Sequence, residues 1–334
     1  AHNLSRMAGL GLAVPPAFVI DTRYCRRFET GPAETADDLR PAYSAALAIL
    51  EGAVGRRFGD HHRPLLLSIR SGAPVSMPGM METLLNVGLC EATLPGLVRL
   101  TGNPRLAWDA YRRLIAGFGT IVAGVPPEAF EEELRRASAG SDERSLDFDQ
   151  LRTLARRFLE VYAAATGSAF PQDPRVQFER AVGAVFSSWH SARAHEYRRL
   201  NHIPADIGMA VAAQAMVFGN AGGRSGAGVG FSRDPMTGDK RLWVDFLFNA
   251  QGEDVVSGRR SAHGHMQLSA ALPEAWAALE GAVGRLEREF GDMQDFEFTV
   301  EEGTLYLLQT RAGKRSPAAH ARITLDLHDE GVIR

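Results

Sequence analysis

Apolar residues recur along this chain in two rhythms, and the change from one to the other divides it. Residues 1–89 mix them: a helix-like opening (Leu4, Met7, Ala8), the Val14-Pro15-Pro16 break, a strand over Ala17 to Ile20, a long helix from about Pro41 to Phe58, and a strand from Leu65 to Arg70. That alternation argues for α/β structure. Residues 90–170 switch to three- and four-residue spacing over Arg105 to Phe118, Pro127 to Ala137 and Phe148 to Thr166, with Gly140-Ser141-Asp142 as a turn, which predicts a helical subdomain. Pro171-Gln172-Asp173-Pro174 then leads into an amphipathic helix whose apolar side is Phe178, Val182, Val185, Phe186 and Trp189. From Ile207 the pattern is strand-rich, over Met209 to Phe218, Gly226 to Ser232, Arg241 to Phe248 and Asp295 to Leu308. There is no internal repeat and no low-complexity linker. The expected fold class is α+β: residues 1–89 with 171–217 form one mixed subdomain, 90–170 a helical insert, and 218–334 a second mixed subdomain.

Composition narrows the function classes. The 334 residues are 45% hydrophobic and 23% charged, an ordinary globular balance for a chain of two or three compact units. A formal net charge of −3 provides no field to gather nucleic acid. No apolar run reaches membrane-spanning length, and no charged leader precedes a secretory segment, so no membrane partner is expected. The two cysteines, Cys25 and Cys90, have no metal-ligand spacing and read as buried thiols of a reducing compartment, by default the cytoplasm. The chain opens on Ala1 within a helical pattern and stops at Arg334 just after another, which leads us to expect a piece of a longer polypeptide.

Two stretches carry candidate chemistry. The first is Ser68-Ile69-Arg70-Ser71-Gly72-Ala73-Pro74-Val75-Ser76-Met77-Pro78-Gly79-Met80-Met81-Glu82-Thr83, where an apolar run delivers a guanidinium into a segment broken by two glycines and two prolines. A loop that joins one fixed cation to free N–H groups suits phosphate. Arg70 by itself is better read as part of a structural turn. Familiar phosphate devices are absent: Gly313-Lys314 is followed by Arg315, Gly226-Ala227-Gly228-Val229-Gly230 lacks dinucleotide spacing, and no protein-kinase loop occurs. The second stretch is a hairpin. Alternation in Asp295-Phe296-Glu297-Phe298-Thr299-Val300 puts both carboxylates on one face, and Gln309 and Arg311 share a face on the returning strand. A three-residue turn, Glu301-Glu302-Gly303, sets Asp295 opposite Gln309, whereas a two-residue turn sends Gln309 to the other side. A functional hairpin demands the three-residue register or one of equal parity. Two carboxylates and a carboxamide are hard ligands suited to Mg²⁺, and Arg70 and Arg311 suit phosphoryl charge. Taken alone, the hairpin is better read as an amphipathic ribbon with its polar side in water.

These strings also resemble the nucleotide-binding domain of the pyruvate, phosphate dikinase family. The likeness extends to Met216-Val217-Phe218-Gly219-Asn220, Ser225-Gly226-Ala227-Gly228-Val229-Gly230-Phe231, Asn249-Ala250-Gln251-Gly252-Glu253-Asp254-Val255-Val256, Asp292 to Thr299 and Leu308 to Arg315. It runs in order along nearly the whole chain, and only the helical block lacks sharp motifs. The resemblance implies an ATP-grasp fold, ATP as substrate and Mg²⁺ as cofactor, with the β-phosphoryl group passing to a histidine on a domain absent here and then to pyruvate on another. By position it implies Arg70 and Arg311 as catalytic phosphate-facing residues, Asp295, Glu297 and Gln309 as metal-facing, Gln214 to Val217 (Met216 among them) as a strand lining adenine, and Ser225, Gly226, Gly228 and Glu253 as further nucleotide contacts. Ala227 replaces a family threonine, leaving backbone N–H groups to hold phosphate. A family lysine in Gly-Gly-Lys-Gly precedes the position of Ala1 and lies outside this sequence. His61, His62, His190, His195, His263 and His265 lack the family's Thr-Ser-His context and read as surface or packing residues. The full-length enzyme is expected to be a homo-oligomer. Phosphoenolpyruvate synthase, glucan water dikinase and rifampicin phosphotransferase share the architecture; Met77 to Met81 followed by Glu82 to Asn86 favours the phosphate-dependent enzyme. An ATP-sensing module without phosphoryl transfer is the reading from another class.

Overall fold

The Val14-Pro15-Pro16 break separates segments that pack into different units. The computed structural model describes residues 2–333 apart from 74, 76, 78 and 257–262. Pro16–Met216 form one compact unit, and His2–Pro15 join the residues from Val217 onward in the other.

The first unit is built on a four-stranded antiparallel sheet of β1 (Ala17–Ile20), β2 (Leu67–Gly72), β3 (Thr83–Val87) and β4 (Ala210–Ala215), in the order β1-β4-β2-β3. Strand β4 is Ala-Val-Ala-Ala-Gln-Ala and wholly buried, small side chains suiting a central position. The helix Pro174–Ser188 packs against β2, β3 and β4 through the apolar side expected for it, and Phe178, Val182, Val185, Phe186 and Trp189 are all buried. The long helix runs over Pro32–Val54 rather than starting at Pro41. Its buried stripe, Leu39, Tyr43, Leu47 and Leu50, continues on both sides of Pro41, so packing outweighs the one lost backbone bond.

The helical block includes the helices Pro104–Ile121, Pro127–Ser138 and Phe148–Thr166. The last begins at a capping box, with the Asp147 side chain accepting from Gln150 N and Gln150 reaching back to Asp147 N, and stops at Gly167 with φ +68°. Charge also holds this block together. Asp109 and Arg112, 4% and 5% exposed, pair at 2.6 Å, Arg113 Nε donates to Asp109 at 3.0 Å, and both arginines also reach Glu143 at 3.0–3.1 Å.

In the second unit β5 (Gly226–Phe231), β6 (Trp243–Phe248), β7 (Gln294–Glu301) and β8 (Thr304–Ala312) lie in the antiparallel order β8-β7-β5-β6, with the two-residue strand His263–Gly264 beyond β6. One face is covered by the helices His2–Gly9, His265–Ala271 and Pro273–Phe290, whose Met7, Leu268, Leu279 and Leu286 meet Phe246, Phe296, Phe298 and Leu307. The N-terminal residues therefore belong here and not to the first subdomain where the sequence pattern put them. Met7 and Leu12 enter this core, Leu307 N donates to Ala13 O at 2.8 Å along the edge of β8, and Asn3 Nδ2 donates to Thr310 O at 2.8 Å. A smaller cluster of Met293, Ala319, Ile323 and Leu327, with Phe231 against it, seats the helix Pro317–Asp329. Among the described residues no helix is long and apolar enough to cross a membrane. Cys25 and Cys90 are buried and not joined in a disulfide.

Candidate functional site

The β7–β8 hairpin of the second unit turns in two residues, not three. Glu301 pairs with Thr304, and Glu302 and Gly303 take φ +49° and +84°, the left-handed pair of a type I′ turn that glycine makes accessible. Plain alternation from such a turn sets Asp295 opposite Thr310 and hides Gln309. The ladder instead shifts between Glu297 and Phe298: Phe298 faces Leu307 while Glu297 faces Gln309, so Leu308 is an extra, bulged residue. The bulge restores the parity expected of a functional hairpin. Asp295 pairs with Arg311 and Glu297 with Gln309, in place of the expected Asp295–Gln309 pair.

Four polar side chains thus share one half-exposed face, while Phe296, Phe298, Leu305 and Leu307 fill the other. Arg311 Nε donates to Asp295 Oδ2 at 2.8 Å. Burial outweighs that contact, and with the help of the Glu297 charge it raises the Asp295 carboxyl above the usual carboxylate range. The register adds a residue missed from sequence. Glu297 lies opposite Val229 on β5, and Val229 opposite Asp245 on β6, so Asp245 stands on the same face two strands away. Burial raises its carboxyl as well. The signal in the sequence was a lone carboxylate inside Trp243-Val244-Asp245-Phe246-Leu247-Phe248. Three carboxylates against one guanidinium leave this face short of positive charge, and the Glu297–Gln309 pair, with the Asp295 oxygens beside it, forms a hard-oxygen donor set that fits Mg²⁺. Among the described residues no group of three or more His, Cys, Asp or Glu side chains could hold a metal ion. Phosphate and water oxygens must therefore complete the shell of any Mg²⁺ held here.

The glycine segment differs from the loop implied by the resemblance. Gly226 and Gly228 lie inside β5, which is paired on both edges, so their backbone groups serve ladders and do not line an open loop. A Cβ on Gly226 would come within 2.1 Å of the Phe246 ring, and one on Gly228 within 2.4 Å of Phe298. These glycines let aromatic rings lie flat on the strand. Ser225 is buried, donating to Glu302 Oε1 at 3.2 Å and accepting from Glu302 N at 2.9 Å, which ties the hairpin turn to the start of β5. Glu253 is exposed on the short helix Gly252–Val256.

In the first unit Arg70 sits on β2 between Ala212 of β4 and Thr83 of β3, half exposed. Ser68, two residues earlier, pairs with Gln214, so Arg70 and Gln214 share a sheet face. Strand β2 continues to Gly72 before the loop begins. Met77 anchors that loop by burial, Met80 N donates to Met77 O at 3.1 Å, and Gly79 takes φ +68° while its carbonyl accepts from the Arg193 guanidinium. Pro74, Ser76 and Pro78 lie outside the described residues. Gln214 is buried within β4, but that strand ends at Ala215, one residue short of Met216 and two short of Val217. Met216 N donates to Leu66 O at 2.9 Å. His61, His62, His190 and His195 are exposed, and the side chains of His263 and His265 lie outside the described set.

Comparison with known proteins gives a consistent set of relatives. The family model described as "Pyruvate phosphate dikinase, AMP/ATP-binding domain" matches residues 32–266. The chain is similar to pyruvate, phosphate dikinase of Clostridium symbiosum, 44% identical over 338 residues, covering 99% of this chain and 38% of that protein. The same enzyme of Rhizobium meliloti (strain 1021) is 44% identical over 346 residues, with 99% and 38% covered. The chloroplastic pyruvate, phosphate dikinase 1 of Arabidopsis thaliana is 42% identical over 334 residues, with 99% and 35% covered. The chain spans little more than a third of the length of these curated relatives. The family model stops before the hairpin, whereas the alignments to the relatives cover 99% of the chain.

Proposed function

From the premise that this chain belongs to the pyruvate, phosphate dikinase family as its AMP/ATP-binding domain, we propose that it binds Mg·ATP in ATP-grasp fashion and donates the β-phosphoryl group to a histidine on another domain of the full-length polypeptide. The reaction served is ATP + pyruvate + phosphate to AMP + phosphoenolpyruvate + pyrophosphate. The histidine domain carries the phosphoryl group to pyruvate held on a third domain, and the setting is a reducing compartment such as the cytoplasm.

The observation that carries this reading is the bulged register, which gathers Asp295, Glu297, Gln309 and Arg311 on one face. Asp295, Glu297 and Gln309 hold Mg²⁺, which when bound offsets phosphate charge. Arg311 has its Nε committed to Asp295, which fixes the plane of the guanidinium and aims its outer nitrogens at phosphate oxygens. Arg70, half exposed on β2, is the other phosphate-facing arginine and stabilises charge on the phosphoryl group in transfer. Gln214, Met216 and Val217 meet the adenine, and Glu253 contacts the nucleotide. Ser225, Gly226 and Gly228 act one step back, by shaping the turn and strand beneath the site.

Calorimetric titration of the chain with ATP tests the reading. Binding is expected with Mg²⁺ and lost with chelator, and the Arg70→Ala/Glu297→Ala double variant is expected to bind at least about a hundredfold more weakly, two charge-assisted contacts having gone. Magnesium-independent binding, or a double variant as tight as the parent, would refute it.

A further inference from the structure

The apolar face of the β7–β8 hairpin carries two polar residues among its phenylalanines and leucines. Gln294 is 1% exposed and Thr310 2%. The Thr310 hydroxyl donates to Gln294 Oε1 at 2.9 Å. The Gln294 carboxamide donates to the carbonyls of Asp292 at 2.9 Å and Met293 at 3.3 Å, and its backbone N donates to Ser232 Oγ at 2.9 Å. Ser232 Oγ in turn donates to Glu287 at 2.6 Å, and Glu287 holds the fully buried Arg233 through contacts of 2.9 and 3.1 Å. A chain of buried hydrogen bonds therefore runs from a helix beneath the sheet to the residue that lies between Gln309 and Arg311.

We propose that the Gln294–Thr310 pair is a positioning device: it holds the stretch after the bulge so that Gln309 and Arg311 stay aimed at the metal and phosphates. The proposal rests on the nucleotide-binding reading given above. A bulge interrupts its ladder, so the strand beyond it needs a separate anchor. Thr310 provides one because its neighbours on either side are the two functional residues. The pair also selects between registers. With the two-residue turn and no bulge, Thr310 moves to the polar face, the Gln294 Oε1 acceptor is left buried without a donor, and Gln309 enters the core. An orphaned buried acceptor costs about 1–3 kcal/mol, so the network favours the register in which the site exists. A polar pair in an apolar layer suits this use, because it can be satisfied in only one arrangement.

Titration of the whole chain with Mg·ATP tests the device. Thr310→Val keeps the branched shape without the hydroxyl and is expected to weaken binding by about tenfold, while Thr310→Ser keeps the donor and stays within about threefold. Deletion of Leu308 supplies a readout that a merely structural role would not move. Without the bulged residue, alternation from the turn sets Gln309 opposite Glu297 unaided, so binding persists and the Thr310→Val penalty shrinks to less than about threefold. Unchanged affinity in Thr310→Val, equal damage in Thr310→Ser, an equal Val penalty with and without Leu308, or loss of binding on deleting Leu308 alone would each overturn the proposal. If Thr310→Val does not fold, or if the parent chain does not bind Mg·ATP and the functional reading fails, hydrogen exchange in the unmodified chain decides. The Gln309 and Arg311 amides are expected to exchange only with global opening of their unit, and faster local exchange defeats the anchor.

Discussion

Asp109 and Asp295 are both shielded aspartates beside arginine, yet their carboxyls shift in opposite directions. Burial raises both. At Asp109 the guanidiniums of Arg113, Arg112 and Arg105 together outweigh it and bring the carboxyl down to about 2, whereas Asp295 has one arginine partner and a neighbouring carboxylate that reinforces burial. The first balance is that of a structural pair, and the second leaves room for a cation. Because the folded-state value of Asp109 lies below its unfolded one, its contribution is present above about pH 4 and is lost as pH falls toward 2. Asp109→Asn is therefore expected to cost on the order of 2 kcal/mol near neutral pH, and the gap to the parent should close between about pH 4 and pH 2 in thermal melts. A gap independent of pH would show that the carboxylate charge contributes nothing.

At the scale of elements, strand β5 makes a distinct prediction. Gly228 looked like part of a phosphate loop, but its missing side chain makes room for Phe298. Gly228→Ala is expected to lower the melting temperature by roughly 5 °C or more through overpacking, with Mg·ATP affinity of the folded protein unchanged. Lost affinity at an unchanged melting temperature would return the glycine to the phosphate. Some elements were legible to the residue. Phe148–Thr166 was, because its cap (Asp147) and its stop (Gly167) are both written in local sequence. Alternation in Asp295-Phe296-Glu297-Phe298 was likewise enough to put both carboxylates on one face. The turn length was not legible, since Glu301-Glu302-Gly303 accommodates two or three residues. Nor was the bulge, because Leu308 is an apolar residue acceptable on either face. Strand β3 escaped notice for a related reason: its ladder with β2 shifts opposite Ser68, with Asn86 at φ +62°, and no clean alternation survives. Pro41 hid the first turns of its helix because a proline usually marks a boundary.

For the molecule as a whole, the proposed function separates two half-reactions. In the intact enzyme, Arg311→Ala or Glu297→Ala is expected to cut phosphorylation by ATP at least about a thousandfold, while exchange between pyruvate and phosphoenolpyruvate stays at the parent rate. Equal damage to both would argue that these residues serve some general structural purpose. The allocation of residues 2–15 has a consequence of another kind, in the order of biosynthesis. Pro16–Met216 form a contiguous stretch that can fold as soon as it leaves the ribosome. The segment ahead of them emerges first yet finds its partners last, since Met7 and Leu12 must wait for Phe296 and Leu307. Those early side chains stay uncovered throughout, a window in which a chaperone has something to hold.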